Sequence, residues 1–121
     1  MSGSIKGRGD LGKLGERVAV QVLERAGLRI LERNWRCREG EIDVVACDGQ
    51  CLVIVEVKTR TSTRFGTPAE AVAGRKLGRL RRLAGLYAAS QSVRYDAVRI
   101  DVVAILRRAG RTFVQHLKGV S

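Results

Sequence analysis

Two carboxylates and a lysine lie on either side of a predicted tight turn. Asp43 precedes the Asp-Gly pair at 48–49, and Glu56 and Lys58 follow it. Asp-Gly between two β-branched runs favours a two-residue hairpin loop. Such a trio is suited to metal-assisted hydrolysis, because Mg²⁺ prefers carboxylate oxygens and an ammonium group beside the ion can orient an attacking water.

The predicted loop determines which side chains share a face of the hairpin. With the loop at residues 48–49, Asp43 pairs with Ile54, so Asp43 and Glu56 become diagonal neighbours with Cβ atoms about 7 Å apart. Lys58 projects from the same face as both carboxylates. The opposite face is predicted to carry only apolar side chains, namely Ile42, Val44, Ala46, Val53, Val55 and Val57.

A purely structural arrangement is compatible with the same spacing. Asp43, Glu56 and Lys58 would then form a solvated, salt-bridged strip on an exposed strand face. Val45 and Ile54 share that face, however, and carboxylates among apolar groups require compensation for their lost hydration. This apolar surrounding favours a functional site.

Hydrophobic periodicity predicts the elements that position these residues. A helix is expected from residue 11 to 26, with Glu16 at the margin of its apolar face, after a flexible basic arm over residues 1–10. A second helix is expected from Thr67 to about Ala89, opened by a capping box of Thr67 and Glu70. Strands are expected at 28–35, 41–47, 50–58, 96–106 and 112–117.

The order of these elements predicts one domain over residues 11–121. A helix, three strands, a second helix and two strands indicate an α/β (mixed α+β) fold, in which helices cover a mostly sequential hairpin sheet.

The chain is strongly basic, with 23 Lys and Arg against 12 Asp and Glu and a formal net charge of +11. A polyanion relieves the self-repulsion of such a domain, so nucleic acid is the expected partner. Arg75, Arg79 and Arg82 recur at helical spacing and form a stripe. Lys76 either contacts phosphate near the site or extends its stem along the apolar face. The predicted nucleic-acid contacts are Arg60, Arg64, Arg75, Lys76, Arg79 and Arg82.

Composition also excludes several classes of protein. No apolar run approaches the roughly 20 residues that span a bilayer, so a membrane protein is not expected. The opening residues contain no apolar segment of the signal-peptide kind, which leads us to expect a cytoplasmic location. Three cysteines without a C-x-x-C pair and a single histidine, His116, argue against a zinc site.

Asp43, twelve intervening residues and Glu56-Val57-Lys58 resemble the D…(D/E)-x-K signature of restriction-endonuclease-like nucleases. The wider sequence resembles the bacterial YraN-like family, predicted endonucleases of that superfamily, which includes Holliday-junction-resolvase-like enzymes. The resemblance extends from about residue 11 to about residue 105. It is carried mainly by Gly15-Glu16, Arg33–Arg36, Gly40–Asp43, Val55–Lys58, Gly66–Pro68 and Glu70–Val72.

The resemblance implies a restriction-endonuclease-like core, a central mixed β-sheet of about five strands flanked by helices. It implies that Asp43 and Glu56 are ligands of Mg²⁺ or Mn²⁺ and that Lys58 is the catalytic lysine. Glu16 would be a further metal or water ligand, and the backbone carbonyl of Val57 would also coordinate the ion.

The expected function is metal-dependent endonucleolytic hydrolysis of DNA, with branched or otherwise structured DNA as a candidate substrate and DNA favoured over RNA. A homodimer is expected if the substrate is a symmetric junction. Two alternatives remain open from the sequence: a catalytically inactive nucleic-acid-binding domain on the same fold, and a basic structural protein of an RNA-containing assembly.

Overall fold

The computed structural model describes residues 7–62, 67, 70 and 72–120. In this part of the chain, two helices flank a sheet of five strands. The elements are α1 (Gly7–Arg25), β1 (Arg29–Cys37), β2 (Gly40–Asp48), β3 (Cys51–Arg60), α2 (Arg75–Ala89), β4 (Ala97–Arg108) and β5 (Arg111–Leu117).

The strands lie side by side in chain order, β1-β2-β3-β4-β5. β1, β2 and β3 form an antiparallel meander, and β5 returns antiparallel to β4. β4 is parallel to β3, because the intervening segment that contains α2 crosses over the sheet. The mixed α/β fold and restriction-endonuclease-like core that the sequence predicted are thereby confirmed.

The two helices bury opposite faces of the sheet. Ala19 and Leu23 of α1 pack on one face, against a cluster that includes Val53 and Val55 of β3. Leu80 and Leu83 of α2, among others, pack on the other face with Leu52 and Ile54. Each valine, leucine or isoleucine side chain among them contributes about 1.5–3 kcal/mol when fully buried. Burial on both faces explains why β3 is apolar at nearly every position up to Glu56.

The β2–β3 hairpin differs in register from the sequence prediction. Cys47 pairs with Leu52 rather than with Gln50, and the loop consists of Gly49 and Gln50. Gly49 has a φ of 59°, and positive φ at the first loop position is the requirement of a type II′ turn. Because the register differs by two residues, an even number, β3 side chains still share a face with the predicted β2 side chains between Val44 and the loop.

Both helices begin at positions other than those predicted. α1 begins at Gly7 rather than at residue 11, so part of the predicted arm is helical. Thr67 and Glu70 form the predicted capping box, with backbone N–H to side-chain oxygen distances of 2.9 and 3.2 Å. The predicted continuous helix is nevertheless wrong. Gly74 has a φ of 60° and interrupts it, so α2 begins only at Arg75.

None of the helices within the described residues is long and apolar enough to cross a bilayer.

Candidate active site

Asp43 is bonded to the neighbouring strand through its side chain. The paired residues of β2 and β3 end at Val44 and Val55, next to Asp43 and Glu56. Beyond this pair, the backbone N–H of Val57 donates a hydrogen bond of 2.8 Å to Oδ2 of Asp43. The Asp43 carboxylate is therefore fixed against the residue that lies between Glu56 and Lys58.

An irregularity in β1 accompanies this geometry. Asn34 has a φ of 53°, a left-handed conformation that Asn tolerates better than most residues, and it is absent from the β1–β2 ladder. The alternation of side chains between the two faces of the sheet is also interrupted in β2, at Asp43. Ile42 packs on the α2 face with Val45, whereas the sequence prediction placed it with Val44 on the opposite face. That prediction was wrong because it assumed an unbroken pleat through Asp43.

The surroundings of the Asp43 carboxyl group disfavour its ionised form. Its pKa is raised from an ordinary value of 3.8 to about 7, mainly by burial and next by the nearby Glu56 carboxylate. The Val57 N–H opposes the rise, and Glu41 and Glu16 add smaller contributions to it. A cation beside Asp43 and Glu56 would counteract these effects, because it favours the ionised carboxylates.

Glu56 is buried and interacts with two lysines. Its Oε2 atom lies 2.7 Å from Nζ of Lys76 and 3.7 Å from Nζ of Lys58. Burial and the neighbouring Lys76 lower the pKa of Lys58. For Lys76, burial acts in the same direction, but the hydrogen bond to Glu56 and the attraction of that carboxylate outweigh it and raise the pKa. Asp43, Glu56 and Lys58 are thus brought together as the sequence predicted.

Glu16 is held in a separate set of contacts. Asn34 Nδ2 donates a hydrogen bond of 3.0 Å to Glu16 Oε1, and Nη2 of Arg33 lies 3.8 Å from the same oxygen. Within the described ranges, no three Asp, Glu, His or Cys side chains converge so as to hold a metal ion. The structure therefore does not assemble a three-acid ligand set, and a ligand role for Glu16 remains a prediction.

The remaining pair of carboxylates fits a hard divalent cation. Mg²⁺ is usually held by one or two protein carboxylates, with water and substrate phosphate at the other positions. Asp43 and Glu56 supply two such groups, and the raised pKa of Asp43 means that a cation beside it would favour its ionised form. The backbone N–H of Val57 is hydrogen-bonded to Asp43. Coordination of the ion by the Val57 carbonyl remains a prediction.

The predicted nucleic-acid contacts lie in different environments. Arg75, Arg79 and Arg82 are exposed along α2, and Arg82 Nε lies 3.6 Å from Glu39 Oε1 in the β1–β2 turn. Lys76 points into the site and contacts Glu56. Arg60 is half-buried and donates a hydrogen bond of 3.5 Å to the Thr67 carbonyl. Arg64 lies outside the described residues.

A second buried charged cluster was not found from the sequence. Asp101 of β4 is fully buried, and its carboxylate contacts Arg99 at 3.0 and 3.2 Å, His116 Nε2 at 2.8 Å and the Gly119 N–H at 2.9 Å. The sequence did contain a signal for this cluster, because Asp101 is an acid between two apolar residues of a predicted strand. An acid buried in this way requires charged or hydrogen-bonding partners.

Comparisons with known proteins give one consistent result. The sequence model of the Uncharacterised protein family UPF0102 matches residues 15–105. A UPF0102 protein of Beutenbergia cavernae is 58% identical over 111 residues, covering 91% of this chain and 94% of that protein. UPF0102 proteins of Mycolicibacterium vanbaalenii and Kineococcus radiotolerans are each 54% identical, covering 94% and 97% of this chain and 95% and 98% of their own lengths.

Proposed function

The chain belongs to the UPF0102 family, which is the YraN-like one, and on this premise we propose that it is a divalent-metal-dependent endonuclease acting on DNA. The observation that carries the proposal is the convergence of Asp43, Glu56 and Lys58, with the Asp43 pKa raised to about 7 by burial and by Glu56. Perturbed carboxylates of this kind occur preferentially at functional sites.

In this proposal each residue of the site has a distinct role. Asp43 and Glu56 hold Mg²⁺ or Mn²⁺ through carboxylate oxygens. The bound ion would lower the pKa of a coordinated water and neutralise charge that develops on the phosphate oxygens. Lys58 projects beside Glu56, where its ammonium donates to the attacking water or to a phosphate oxygen. Arg75 and Arg79 on the exposed side of α2 position the phosphate backbone.

The substrate class follows from charge and from the family resemblance. A net charge of +11 favours a polyanion. DNA is favoured over RNA through the resemblance to restriction-endonuclease-like nucleases, and branched DNA is the candidate structure. Cleavage of a symmetric junction would require two sites and hence a homodimer. The proposed location is the cytoplasm.

One observation favours a second candidate, a nucleic-acid-binding domain without catalytic activity. Glu56 already has two ammonium groups within 4 Å, so its charge is compensated without a metal ion. In such a domain, Glu56, Lys58 and Lys76 would be a structural ion-pair cluster.

The two candidates are separated by metal binding and cleavage. Mn²⁺ binding is measured by calorimetry, and cleavage is assayed on linear, nicked, flapped and four-way DNA and on matched RNA, each with a chelator control. The endonuclease proposal expects Asp43→Asn and Glu56→Gln to abolish metal binding and cleavage. Glu24→Gln, which changes an exposed acid on α1, serves as the charge-matched control and should leave both intact.

Tight DNA binding by the parent protein without cleavage of any substrate in Mn²⁺ would favour the inactive domain. Equal Mn²⁺ affinity in the parent, Asp43→Asn and Glu56→Gln proteins would remove the basis of the endonuclease proposal.

A further inference from the structure

Lys76 makes the shortest ion pair of the site. Its Nζ lies 2.7 Å from Oε2 of Glu56, a full ångström closer than Nζ of Lys58 at 3.7 Å. The Lys76 side chain is 37% exposed, whereas that of Glu56 is 10% exposed. The ammonium group of Lys76 thus neutralises a buried carboxylate from a position that solvent and a ligand can reach.

The position of Lys76 in its helix is electrostatically unfavourable. It is the second residue of α2, whose first turn contains no acid and whose preceding residue, Gly74, supplies no side-chain cap. Cations are disfavoured at helix N-termini, where the peptide dipoles carry partial positive charge. Arg75 adds a further positive charge in the same turn. Glu56, on a different element, is therefore the main group that stabilises the Lys76 ammonium at this position, and Asp43 makes a smaller contribution.

We propose that Lys76 is an exchangeable counterion of Glu56. A divalent cation that binds Asp43 and Glu56 displaces the Lys76 ammonium, which then contacts a phosphate of the bound nucleic acid. This inference rests on the proposed metal-dependent function and adds a linkage between metal binding and phosphate binding at the same site.

The physical reason is competition for one carboxylate. Two cations cannot both contact Oε2 of Glu56 closely without repelling each other. Nζ of Lys58 lies a full ångström farther from Oε2 than Nζ of Lys76, so the same cation repels Lys58 less strongly. The flexible four-carbon stem of Lys76 and its partial exposure allow the ammonium to move outward, toward the side of α2 on which Arg75 and Arg79 are exposed.

Calorimetric titration of the 121-residue chain with Mn²⁺ tests the competition. Lys76→Met removes the charge and keeps an unbranched stem, and Arg75→Met removes one positive charge from the same helical turn without removing an ion pair to Glu56. We expect Lys76→Met to bind Mn²⁺ roughly five- to tenfold more tightly than the parent, a coupling of ordinary size for linked sites. Arg75→Met should change the affinity by less than about twofold, because it is exposed and screened.

A second measurement tests the contact with phosphate. Binding of a short duplex DNA is compared in Ca²⁺, a cation with the same preference for oxygen ligands, and in chelator. Lys76→Met should weaken binding roughly three- to tenfold in Ca²⁺ and by less than about twofold in chelator, since without metal the ammonium is bound to Glu56. Lys76→Gln, with folding verified by circular dichroism, provides an independent variant.

The outcomes separate this inference from the proposed function. If the parent binds Mn²⁺ and Asp43→Asn abolishes that binding, while Lys76→Met binds no more tightly than Arg75→Met, the exchange is overturned and the metal site stands. Weaker Mn²⁺ binding by Lys76→Met likewise overturns the exchange, because Lys76 would then support the site. If the parent binds no Mn²⁺, the proposed function itself fails.

Discussion

Oδ2 of Asp43 accepts a 2.8 Å hydrogen bond from the backbone N–H of Val57. A side-chain oxygen of β2 thereby serves as the partner of a main-chain donor of β3. The bond ties Asp43 to the residue that separates Glu56 from Lys58. Displacement of either strand at this level would therefore move all three functional side chains relative to one another.

The raised pKa of Asp43 predicts that this carboxylate destabilises the metal-free fold near neutral pH. The pKa is about 7 in the folded protein against an ordinary 3.8, so the folded state binds more protons than the unfolded state between these values. The contribution of Asp43 to the stability of the parent protein should therefore fall as pH rises from about 4 to about 7. In Asp43→Asn this contribution is absent, so the variant should be more stable than the parent at pH 8 by on the order of 1–3 kcal/mol.

Urea denaturation in the presence of chelator, at several pH values from 4 to 8, measures this difference. The gap between Asp43→Asn and the parent should close toward pH 4. Glu24→Gln alters an exposed acid, so the difference between its free energy of unfolding and that of the parent should be nearly the same at every pH. A gap between Asp43→Asn and the parent that does not vary with pH would contradict the prediction.

Close packing of α1 on β3 predicts opposite effects for two glycines of the same helix. A Cβ atom at Gly15 would overlap the Thr59 side chain, whereas one at Gly12 would have no neighbour within 4 Å. Gly15→Ala should therefore destabilise the fold by about 1–3 kcal/mol through overpacking. Gly12→Ala should stabilise it by about 0.5–1 kcal/mol through helix propensity.

Thermal and urea unfolding of the two variants provide the measurement. The double variant Gly15→Ala, Thr59→Ala should recover much of the lost stability, because it removes the overlapping atoms. If Gly15→Ala and Gly12→Ala changed stability alike, the close approach of α1 to Thr59 would not hold in solution.

The convergence of Asp43, Glu56 and Lys58 was predictable from the sequence even though the predicted position of the hairpin loop was wrong. The sequence prediction used Asp48 and Gly49 as the loop, whereas the loop is Gly49 and Gln50. Moving the loop by one position shifts the pairing partner of each β2 residue by two positions on β3. Because the shift is even, each β3 side chain stays on the predicted face of the sheet. A shift of the pairing by one residue would have separated the site.

Features that depend on distant contacts were not predictable. The left-handed backbone at Asn34, whose side chain donates a hydrogen bond to Glu16 of α1, interrupts the alternation that the sequence predicted. The helix break at Gly74 is local in origin, because glycine adopts positive φ readily, but the capping box of Thr67 and Glu70 favoured a continuous helix. The ion pair of Lys76 with Glu56 joins elements that are separated by a crossover. No local pattern distinguishes such a lysine from one whose stem lies along an apolar surface.

The buried Asp101 cluster predicts a large contribution to stability away from the candidate active site. Asp101→Ala would leave Arg99 and His116 without their shared partner, at a cost of about 2–4 kcal/mol. The cost is at the low end for buried ion pairs because Arg99 also contacts Asp48 at 2.9 Å. Asp48→Ala, which removes the half-exposed carboxylate on the same arginine, should cost less than about 1 kcal/mol.

Urea unfolding measures both variants. Under conditions where both are folded, each should bind Mn²⁺ as the parent does, because the carboxylates of Asp101 and Asp48 bond to Arg99 and its neighbours rather than to Asp43 or Glu56. Equal loss of stability in Asp101→Ala and Asp48→Ala would contradict the assignment of Asp101 as the centre of the cluster.

The ion pair between Glu39 and Arg82 predicts that one acid weakens nucleic-acid binding. Arg82 Nε lies 3.6 Å from Glu39 Oε1, so the β1–β2 turn partly neutralises the arginine stripe of α2. Glu39→Gln should tighten binding of duplex DNA by about two- to threefold at low salt, and the gain should shrink at 0.3 M salt, where exposed charges are screened. Arg82→Gln should weaken binding by a similar factor and make its dependence on salt shallower.

Fluorescence anisotropy across a salt series measures these affinities, and Glu24→Gln controls for the change in net charge. Glu24 is exposed near the end of α1, whereas Glu39 contacts α2 directly. If both glutamate variants tightened binding equally, net charge alone would account for the effect, and the α2 stripe would lose its distinct role. A larger gain for Glu39→Gln would place the phosphate backbone along α2, because Glu39, unlike Glu24, is paired with an arginine of that helix.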